Sequence, residues 1–262
     1  MRYPGGKNGD GTWQRIICQI PPHRVYCEPF LGSGAVMRRK RPANLSIGID
    51  LDPGALAEFR ECARVDLPGI LVVTSDAESV VWRRDGRRSP AIYLPRADAL
   101  EWLVELGPWG ADDVIYCDPP YLPETRTKKR IYEYEMTYAQ HVQLLDVVVE
   151  LPCRVLLSGY ASPLYAERLA DWRCIEYDAM TRGGVTRREG LWCNFPEPTE
   201  LHDYRWIGRD SEERPAWRDR ERILRRQVNW RRQLLAMPPL ERNAMLEILN
   251  ADPHAESGER GS

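Results

Sequence analysis

The chain of 262 residues lacks several features that would place it in a common class of protein. It has no apolar run long enough to cross a membrane, so we expect no membrane association. It has seven cysteines but no C-x-x-C pair, which disfavours a zinc cluster, and we expect no metal. Because the scattered cysteines occur without a signal-peptide pattern, we expect a reducing, cytoplasmic location.

The chain also has no excess of positive charge. It contains 37 lysines and arginines and 39 acidic residues, which gives a net charge of −2. With 43% hydrophobic residues, the chain has the composition of a globular protein rather than a disordered one. Any contact with nucleic acid must therefore come from local basic patches. Four such clusters are present, at 38–41, 83–88, 126–130 and 182–188.

The dinucleotide-binding fingerprint G-x-G-x-x-G is absent, although a related pattern is present. The segment Glu28–Gly34 follows the apolar run Val25–Cys27, but Met37 stands where the third glycine would be. A nicotinamide-dependent dehydrogenase is therefore disfavoured. Glycines in such a turn still let the backbone approach a ligand closely, and the N-terminus of the following helix offers unbonded N–H groups.

An acidic residue follows the second predicted strand. Asp50 comes directly after the apolar run Leu45–Ile49, which is the position where doubly wound nucleotide folds bind ribose hydroxyls. The alternative is an acidic turn, because residues 52–54 (Asp-Pro-Gly) form a turn sequence in their own right.

The most informative segment is Asp118-Pro119-Pro120-Tyr121, which follows the apolar run at 114–117. A carboxylate and a proline carbonyl can accept the two hydrogens of an exocyclic amine on a planar, flipped-out base. The prolines make the loop stiff, and the tyrosine ring can stack on the base. The alternative is a strand that ends in a Pro-Pro turn with an exposed aspartate.

Strand and helix patterns alternate along most of the chain, which predicts an α/β fold with a parallel sheet. Helical patterns include Leu100–Leu106 and Tyr138–Leu151. The predicted strands are Arg24–Cys27, Leu45–Ile49, Ile70–Thr74, Ala91–Leu94, Asp113–Cys117 and Arg154–Ser158, and a late hairpin pairs Arg173–Tyr177 with Gly190–Phe195 across a basic, Gly-rich connection at Thr181–Gly184.

Four segments, taken in order, resemble the DNA adenine methyltransferases of the Dam-like and phage-borne kind. They are the aromatic-x-Gly-Gly-Lys motif at Arg2–Lys7, the loop Glu28–Gly34, the acid Asp50 and the motif Asp118–Tyr121. The order of the motifs makes the resemblance specific. It implies a Rossmann-like methyltransferase sheet with a C-terminal antiparallel hairpin, S-adenosylmethionine as the cofactor, and an adenine exocyclic amine in double-stranded DNA as the substrate.

The resemblance also implies roles for individual residues. Lys7 would meet the methionine carboxylate of the cofactor, and Asp50 its ribose hydroxyls. The implied catalytic residues are Asp118, Pro119, Pro120 and Tyr121. The implied cofactor-binding residues are Tyr3, Gly5, Gly6, Lys7, Glu28, Phe30, Gly32, Gly34, Asp50, Asp98 and Asp118.

DNA contacts are expected from two of the basic clusters. The cluster that follows Tyr121 leaves the catalytic motif directly, and the cluster at 83–88 flanks a predicted hairpin turn. That turn is either a reduced recognition element or a soluble loop. Family members usually carry a longer recognition insertion than the 55–95 region allows, so the target sequence stays open. The predicted DNA-binding residues are Arg83, Arg84, Arg87, Arg88, Arg126, Lys128, Lys129 and Arg130.

The composition changes after Pro198, which predicts a catalytic domain at 1–205, with a short recognition insertion, and a helical arginine-rich appendage at 206–262. An apolar stripe on the first appendage helix needs a partner, either the catalytic domain or a second copy of the chain in a homodimer. We expect its arginines to form a solvated face. The stripe consists of Trp217, Leu224, Val228 and Leu235, and Pro238-Pro239 ends it.

Three alternative functions are weighed against adenine methylation. Methylation of cytosine's exocyclic amine uses the same chemistry, but the acid at position 118 favours adenine by resemblance to the family. An inactive cofactor-binding DNA-recognition module is disfavoured by the intact Asp118 and Tyr121. RNA or protein as the substrate is disfavoured by the Gly-Gly-Lys motif at Tyr3–Lys7.

Overall fold

The computed structural model describes residues 7, 11–73, 90–105, 109–126, 133–180, 186–207 and 214–250. The chain divides into two compact units, Met1–Trp206 and Ile207–Ser262.

The larger unit is built on one eight-stranded sheet within the described residues, in the order β3-β4-β2-β1-β5-β6-β8-β7. All pairings from β3 to β6 are parallel, and the last two strands form an antiparallel hairpin whose β8 pairs with β6. The predicted fold class, a Rossmann-like sheet closed by a late antiparallel hairpin, is confirmed. The strands are β1 (Val25–Glu28), β2 (Leu45–Gly48), β3 (Leu71–Val73), β4 (Ala91–Tyr93), β5 (Val114–Cys117), β6 (Arg154–Gly159), β7 (Arg173–Met180) and β8 (Thr186–Cys193).

Helices cover both faces of the sheet, because the parallel strands are apolar on both sides. Along β5, Val114 and Tyr116 point into one hydrophobic cluster, while Ile115 and Cys117 point into the other. The helices of the larger unit are α1 (Thr12–Ile17), α2 (Ala35–Arg39), α3 (Pro53–Asp66), α4 (Ala99–Glu105), α5 (Tyr138–Glu150) and α6 (Pro163–Arg168). The first three contribute to the cluster of Val114, and the last three to the cluster of Ile115.

The strand order reverses between β1 and β5, which are neighbours in the middle of the sheet. The chain leaves β1 towards β2 and β4 on one side, and leaves β5 towards β6 on the other. In open parallel sheets the connections diverge at such a point and leave a crevice beyond the carboxyl ends of the two strands. Glu28 ends β1 and Asp118 follows β5, so both lie at this crevice.

The first six predicted strands agree with the structure to within one residue at each end. The hairpin strands are longer than predicted, since β7 continues to Met180 and β8 begins at Thr186. The start of β8 reads Thr-Arg-Arg-Glu, which contains no apolar residue and so resembles a loop in sequence. Pairing with β7, rather than alternation of apolar residues, makes it a strand.

The smaller unit contains two helices, α7 (Arg214–Ala236) and α8 (Pro239–Asn250). The helix break predicted at Pro238-Pro239 is present, because proline cannot continue the hydrogen bonding of a helix interior. On the predicted stripe, Val228 is 66% exposed, Leu235 is 61% exposed and Leu224 is half-buried. The side chain of Trp217 lies outside the described residues.

Candidate active site

The glycine-rich loop after β1 is folded by its own backbone and by one distant aspartate. Leu31 N–H donates to the Ile49 carbonyl at 2.8 Å, and Gly34 N–H donates to the Leu31 carbonyl at 2.7 Å. Gly34 has a φ of 57°, and a Cβ there would lie 2.3 Å from the Phe59 ring, so only glycine fits. This explains the second glycine of the motif as a packing requirement at the start of α2.

Asp50 holds the same loop through its side chain. One carboxylate oxygen accepts from Gly32 N–H at 2.8 Å, and the other accepts from Asp52 N–H at 2.9 Å. Burial raises the pKa of Asp50 to about 6, against the opposing effect of these backbone donors. Asp50 also lines the cleft described below, so its carboxylate is placed to accept from a ligand hydroxyl as well.

Asp98 lies between β4 and α4, as Asp50 lies between β2 and α3. Its carboxylate accepts from the Leu100 N–H at 2.8 Å and from the Glu101 N–H at 3.3 Å, as the N-cap of the helix. The cap fixes the Asp98 side chain, which lines the same crevice as Asp50. The two segments are adjacent, because Asp50 forms a β-bridge with Arg96.

A cleft connects this region with the end of β5, and it encloses about 930 Å³ when the open solvent at its entrance is included. It collects most of the predicted residues that the structure describes, namely Lys7, Glu28, Phe30, Gly32, Asp50, Asp98, Asp118, Pro119 and Pro120. Gly34 and Tyr121 do not line it. Some residues that line the cleft were not predicted from the sequence. They are Tyr134, Glu135, Met136 and Gln140, from the segment that enters α5, and Tyr116 of β5.

Glu28 is a buried acid at the floor of this cleft. The Tyr26 hydroxyl donates to its carboxylate at 2.9 Å. Burial raises the pKa of Glu28 to about 8, so the group is mostly protonated at neutral pH.

Asp118 forms an ion pair with Lys7 at the other end of the cleft. The two groups are 3.2 Å apart, and the Asp118 side chain is 17% exposed. Burial raises the pKa of Asp118 to about 6, although the Lys7 ammonium acts in the opposite direction. At neutral pH the carboxylate is therefore mostly ionised and able to accept hydrogen bonds.

Lys7 has a second and closer acidic partner, Glu189 of β8, at 2.8 Å. The Glu189 carboxylate also accepts from the hydroxyls of Tyr121 at 3.0 Å and Tyr177 at 3.2 Å, and Lys7 donates to the Tyr121 hydroxyl. The resemblance implied that Lys7 meets the cofactor's carboxylate, whereas its partners here are two carboxylates of the protein. Glu189 was not predicted, and its only sequence signal is an acid that Gly190 separates from the apolar run 191–193.

Tyr121 is 6% exposed, with its ring edge-on to Tyr160 at a centroid distance of 4.7 Å. The Lys7 ammonium lies 4.7 Å from the centre of the same ring. Stacking of Tyr121 on a substrate base, expected from the motif, therefore stays a prediction for the bound state.

Arg126, predicted to bind DNA, lies inside the structure. Its guanidinium makes two hydrogen bonds to the Glu135 carboxylate, at 2.6 and 3.1 Å, and its side chain is 3% exposed. The ion pair joins two points of the chain after the motif Asp118–Tyr121, and the arginine does not face solvent. The remaining predicted DNA-binding residues lie outside the described residues, as do three predicted cofactor residues: Arg83, Arg84, Arg87, Arg88, Lys128, Lys129, Arg130, Tyr3, Gly5 and Gly6.

His141 of α5 is fully buried beside the site. Its Nδ1 lies 3.0 Å from the Tyr165 hydroxyl, and burial lowers its pKa to about 4. Within the described residues, no cluster of three or more metal-ligating side chains occurs. No helix in that part of the chain has the length and apolarity to cross a membrane.

The span that contains the strand-end carboxylate and its two prolines matches a known family. Residues 103–176 match the D12 class N6 adenine-specific DNA methyltransferases. The predicted resemblance to Dam-like adenine methyltransferases is confirmed over this span, which runs from α4 into β7 and contains the motif Asp118–Tyr121. The match supports an enzyme that methylates adenine in DNA. No curated protein matches the chain.

Solved structures of several methyltransferases are similar to this chain at low identity. TrmK of M. capricolum, in complex with S-adenosyl-homocysteine, is 8% identical, with 90% of this chain and 93% of that chain covered and a TM-score of 0.41. Magnesium protoporphyrin IX methyltransferase of Synechocystis, with bound S-adenosylmethionine, is 14% identical over 70% and 75% of the two chains, with a TM-score of 0.39. A putative RNA methyltransferase of Pyrococcus horikoshii is 11% identical over 71% and 78%, with a TM-score of 0.37.

Proposed function

We propose that the protein transfers the methyl group of S-adenosylmethionine to the exocyclic amine of an adenine flipped out of duplex DNA. The observation that carries the proposal is the position of Asp118. It lies at the reversal point of the sheet, at one end of a cleft whose other end holds Asp50 and Asp98. The family match over 103–176 supports the same substrate.

The residues at the far end of the cleft fit the cofactor chemically. Asp50 presents its carboxylate to the ribose hydroxyls, and Asp98 offers its second oxygen to an adenine amine. The backbone at Gly32 has no side chain to obstruct a close approach. The bound cofactor supplies an electrophilic methyl group, which needs no metal for activation.

The protein's own contribution is to position the amine. Ionised Asp118 accepts one amine hydrogen, and the carbonyl of Pro119 accepts the other, so that the nitrogen lone pair faces the cleft. The two prolines restrict the loop, which lowers the entropy lost on binding the base. Flipping the base costs a few kcal/mol of stacking and pairing. In the bound state we expect the ring of Tyr121, which here packs edge-on against Tyr160, to stack on the base and offset part of this cost.

The decisive experiment compares Asp118→Ala with a control variant, Asp112→Ala, whose side chain is 80% exposed in a surface ion pair. Methyl transfer from labelled cofactor is measured on DNA from a methylation-free host, and the modified base is mapped by long-read sequencing. We expect Asp118→Ala to lower turnover by at least roughly 100-fold while the control stays at the wild-type level. Turnover of Asp118→Ala within a few-fold of wild type would contradict the proposal.

The same experiment separates the rival functions. Methyl groups on cytosine would assign the alternative exocyclic amine as the target. Normal cofactor binding without transfer by the wild-type chain would indicate a recognition module.

A further inference from the structure

The charges around Asp118 do not balance, and Glu189 is the reason. Lys7 contributes one positive charge, whereas Asp118 and Glu189 contribute two negative charges. Glu28, the next nearest acid, has a pKa raised to about 8 by burial and is mostly neutral at pH 7. The buried cluster therefore carries one net negative charge, which is costly in a protein interior unless a ligand compensates it.

Lys7 is bound more closely to Glu189, at 2.8 Å, than to Asp118, at 3.2 Å. Glu189 is itself fixed by the two tyrosine hydroxyls, and Tyr177 is its direct cross-strand partner on β7. Lys7 is thus shared between Glu189 and Asp118, and its single positive charge leaves Asp118 without full compensation.

The strand that carries Glu189 also holds the catalytic loop at a second point. Arg187 lies two residues earlier and so on the same face of β8. Its guanidinium donates to the Thr125 carbonyl at 2.8 Å and lies 5.4 Å from the centre of the Tyr160 ring. The loop that begins at Asp118 is therefore attached to β8 through Tyr121 and through Thr125.

Methyl transfer places positive charge where this negative charge is left over. The amine nitrogen forms a bond to the methyl carbon as the carbon–sulfur bond breaks, so the nitrogen becomes cationic until it loses a proton to solvent. A carboxylate whose charge is not neutralised stabilises that nitrogen in a site of low dielectric constant.

We propose that Glu189 is a positioning residue for this reaction: it competes with Asp118 for Lys7 and orients Tyr121, and thereby leaves part of the charge of Asp118 available to the substrate amine. The inference rests on the proposed methyl transfer. The family match ends at residue 176, so Glu189 lies outside the matched span.

The test measures kcat, KM for DNA and the pH profile of kcat in Glu189→Gln. The side-chain amide still accepts from the tyrosines, but Lys7 then pairs with Asp118 alone and the cluster becomes neutral. We expect kcat to fall roughly 10- to 100-fold with little change in KM. Because Glu189 raises the pKa of Asp118, the acid limb of the profile should move to lower pH by roughly one unit.

Lys7→Met provides the opposite change, since loss of the ammonium raises the pKa of Asp118 and moves the acid limb to higher pH. The double variant Glu189→Gln/Lys7→Met restores a single negative charge and should return the acid limb towards its wild-type position. Other ionisable groups around Asp118 are the same in every variant; they are Glu28, Tyr116, Cys117, Tyr121, Tyr165 and Tyr177.

Glu176→Gln is the matched control. It removes a carboxylate from the same hairpin, but one that is 53% exposed and paired with Arg188 on the surface. We expect wild-type kcat and an unshifted profile.

A folded Glu189→Gln variant with wild-type kcat and an unshifted acid limb would overturn the inference. If that variant does not fold, Glu189→Asp is measured instead. This variant keeps the charge but moves it away from Lys7, so it must show a smaller fall in kcat and a smaller shift of the acid limb to lower pH. Failure of both variants to fold would make Glu189 structural and would also overturn it. Absence of methyl transfer by the wild type is a different result, because it refutes the proposed function itself.

Discussion

The two ends of the cleft are held in different ways. At the end with the glycine-rich loop, Asp50 and Asp98 accept hydrogen bonds from backbone N–H groups that lie 2 to 18 residues away in sequence. At the catalytic end, Lys7 reaches Tyr121 and Glu189 across 114 and 182 residues, and every partner is a side chain.

This difference has an energetic consequence. A carboxylate bound by backbone donors keeps those donors when a neighbouring side chain is substituted, so Asp50 and Asp98 do not depend on each other. A buried ion cluster is interdependent, because removing one member leaves an uncompensated charge in the interior. We therefore expect substitutions at the loop end to affect binding, and substitutions at the catalytic end to affect both stability and turnover.

The largest effect is expected for Lys7→Met. Loss of the ammonium leaves two buried carboxylates facing each other, and the free energy of unfolding should fall by about 3–5 kcal/mol. Urea denaturation measures the change, with Arg64→Gln, which removes an exposed ion pair, as the control. A loss below about 1 kcal/mol would remove the contrast between the two ends.

Glu28→Gln tests whether the free energy lost at Glu28 comes from burying an ionisable group rather than from the groups that contact it. The folded pKa of Glu28 is raised to about 8, so its carboxyl group destabilises the fold increasingly as pH rises from 4.5 to 8, where the unfolded chain is ionised and the folded one is not. The amide has no such cost. The thermal midpoint of the variant should equal that of wild type near pH 4.5 and exceed it at pH 8, where the difference in the free energy of unfolding should be on the order of 4 kcal/mol.

Asp50→Ala should weaken S-adenosylmethionine binding, with a loss of about 1.5–3 kcal/mol for charge-assisted hydrogen bonds to the ribose. Turnover at saturating cofactor should change little, because Asp50 does not contact the catalytic cluster. Isothermal titration calorimetry gives the affinity. An unchanged affinity would show that this end of the cleft does not bind the ribose.

The basic segment that follows the catalytic loop offers a smaller effect, confined to DNA affinity. Replacing Lys128, Lys129 and Arg130 by glutamine should make DNA binding less dependent on salt, with the slope reduced by about 0.9 for each phosphate that is no longer bound. Arg126 is left intact, since it is buried against Glu135. DNA binding is measured at several salt concentrations. An unaltered slope would indicate that the 83–88 cluster, rather than this segment, contacts the phosphates.

The smallest effect on chemistry is expected from deleting residues 211–262. Both ends of the cleft lie upstream, so cofactor affinity and turnover at saturating substrate should be unchanged while the thermal midpoint or the mass by light scattering changes. If the truncated protein binds cofactor normally but no longer binds DNA, the arginines of α7 are a DNA-binding face rather than a solvated one.

The sequence predicted the loop end of the cleft better than the catalytic end, for a physical reason. Asp50 follows an apolar strand and Gly34 precedes a helix, so short patterns contain both positions. Lys7 pairs with residues more than 100 positions away, and Arg126 pairs with Glu135 across a loop of nine residues, so no strand or helix pattern contains either ion pair. Glu189 was missed for a further reason, since it belongs to the polar start of β8, which is a strand only because β7 pairs with it.

The distant contacts of Lys7 also define the smallest fragment that can hold a complete site. A fragment cut to residues 103–176 would contain Asp118 but neither of the charged side chains that surround it. The cut would also remove β1 and β2, and with them the loop that Asp50 holds. Chimaeras that exchange target recognition between related enzymes therefore need to keep the chain from Lys7 to Glu189 from a single parent, and only insertions within that span are open to exchange.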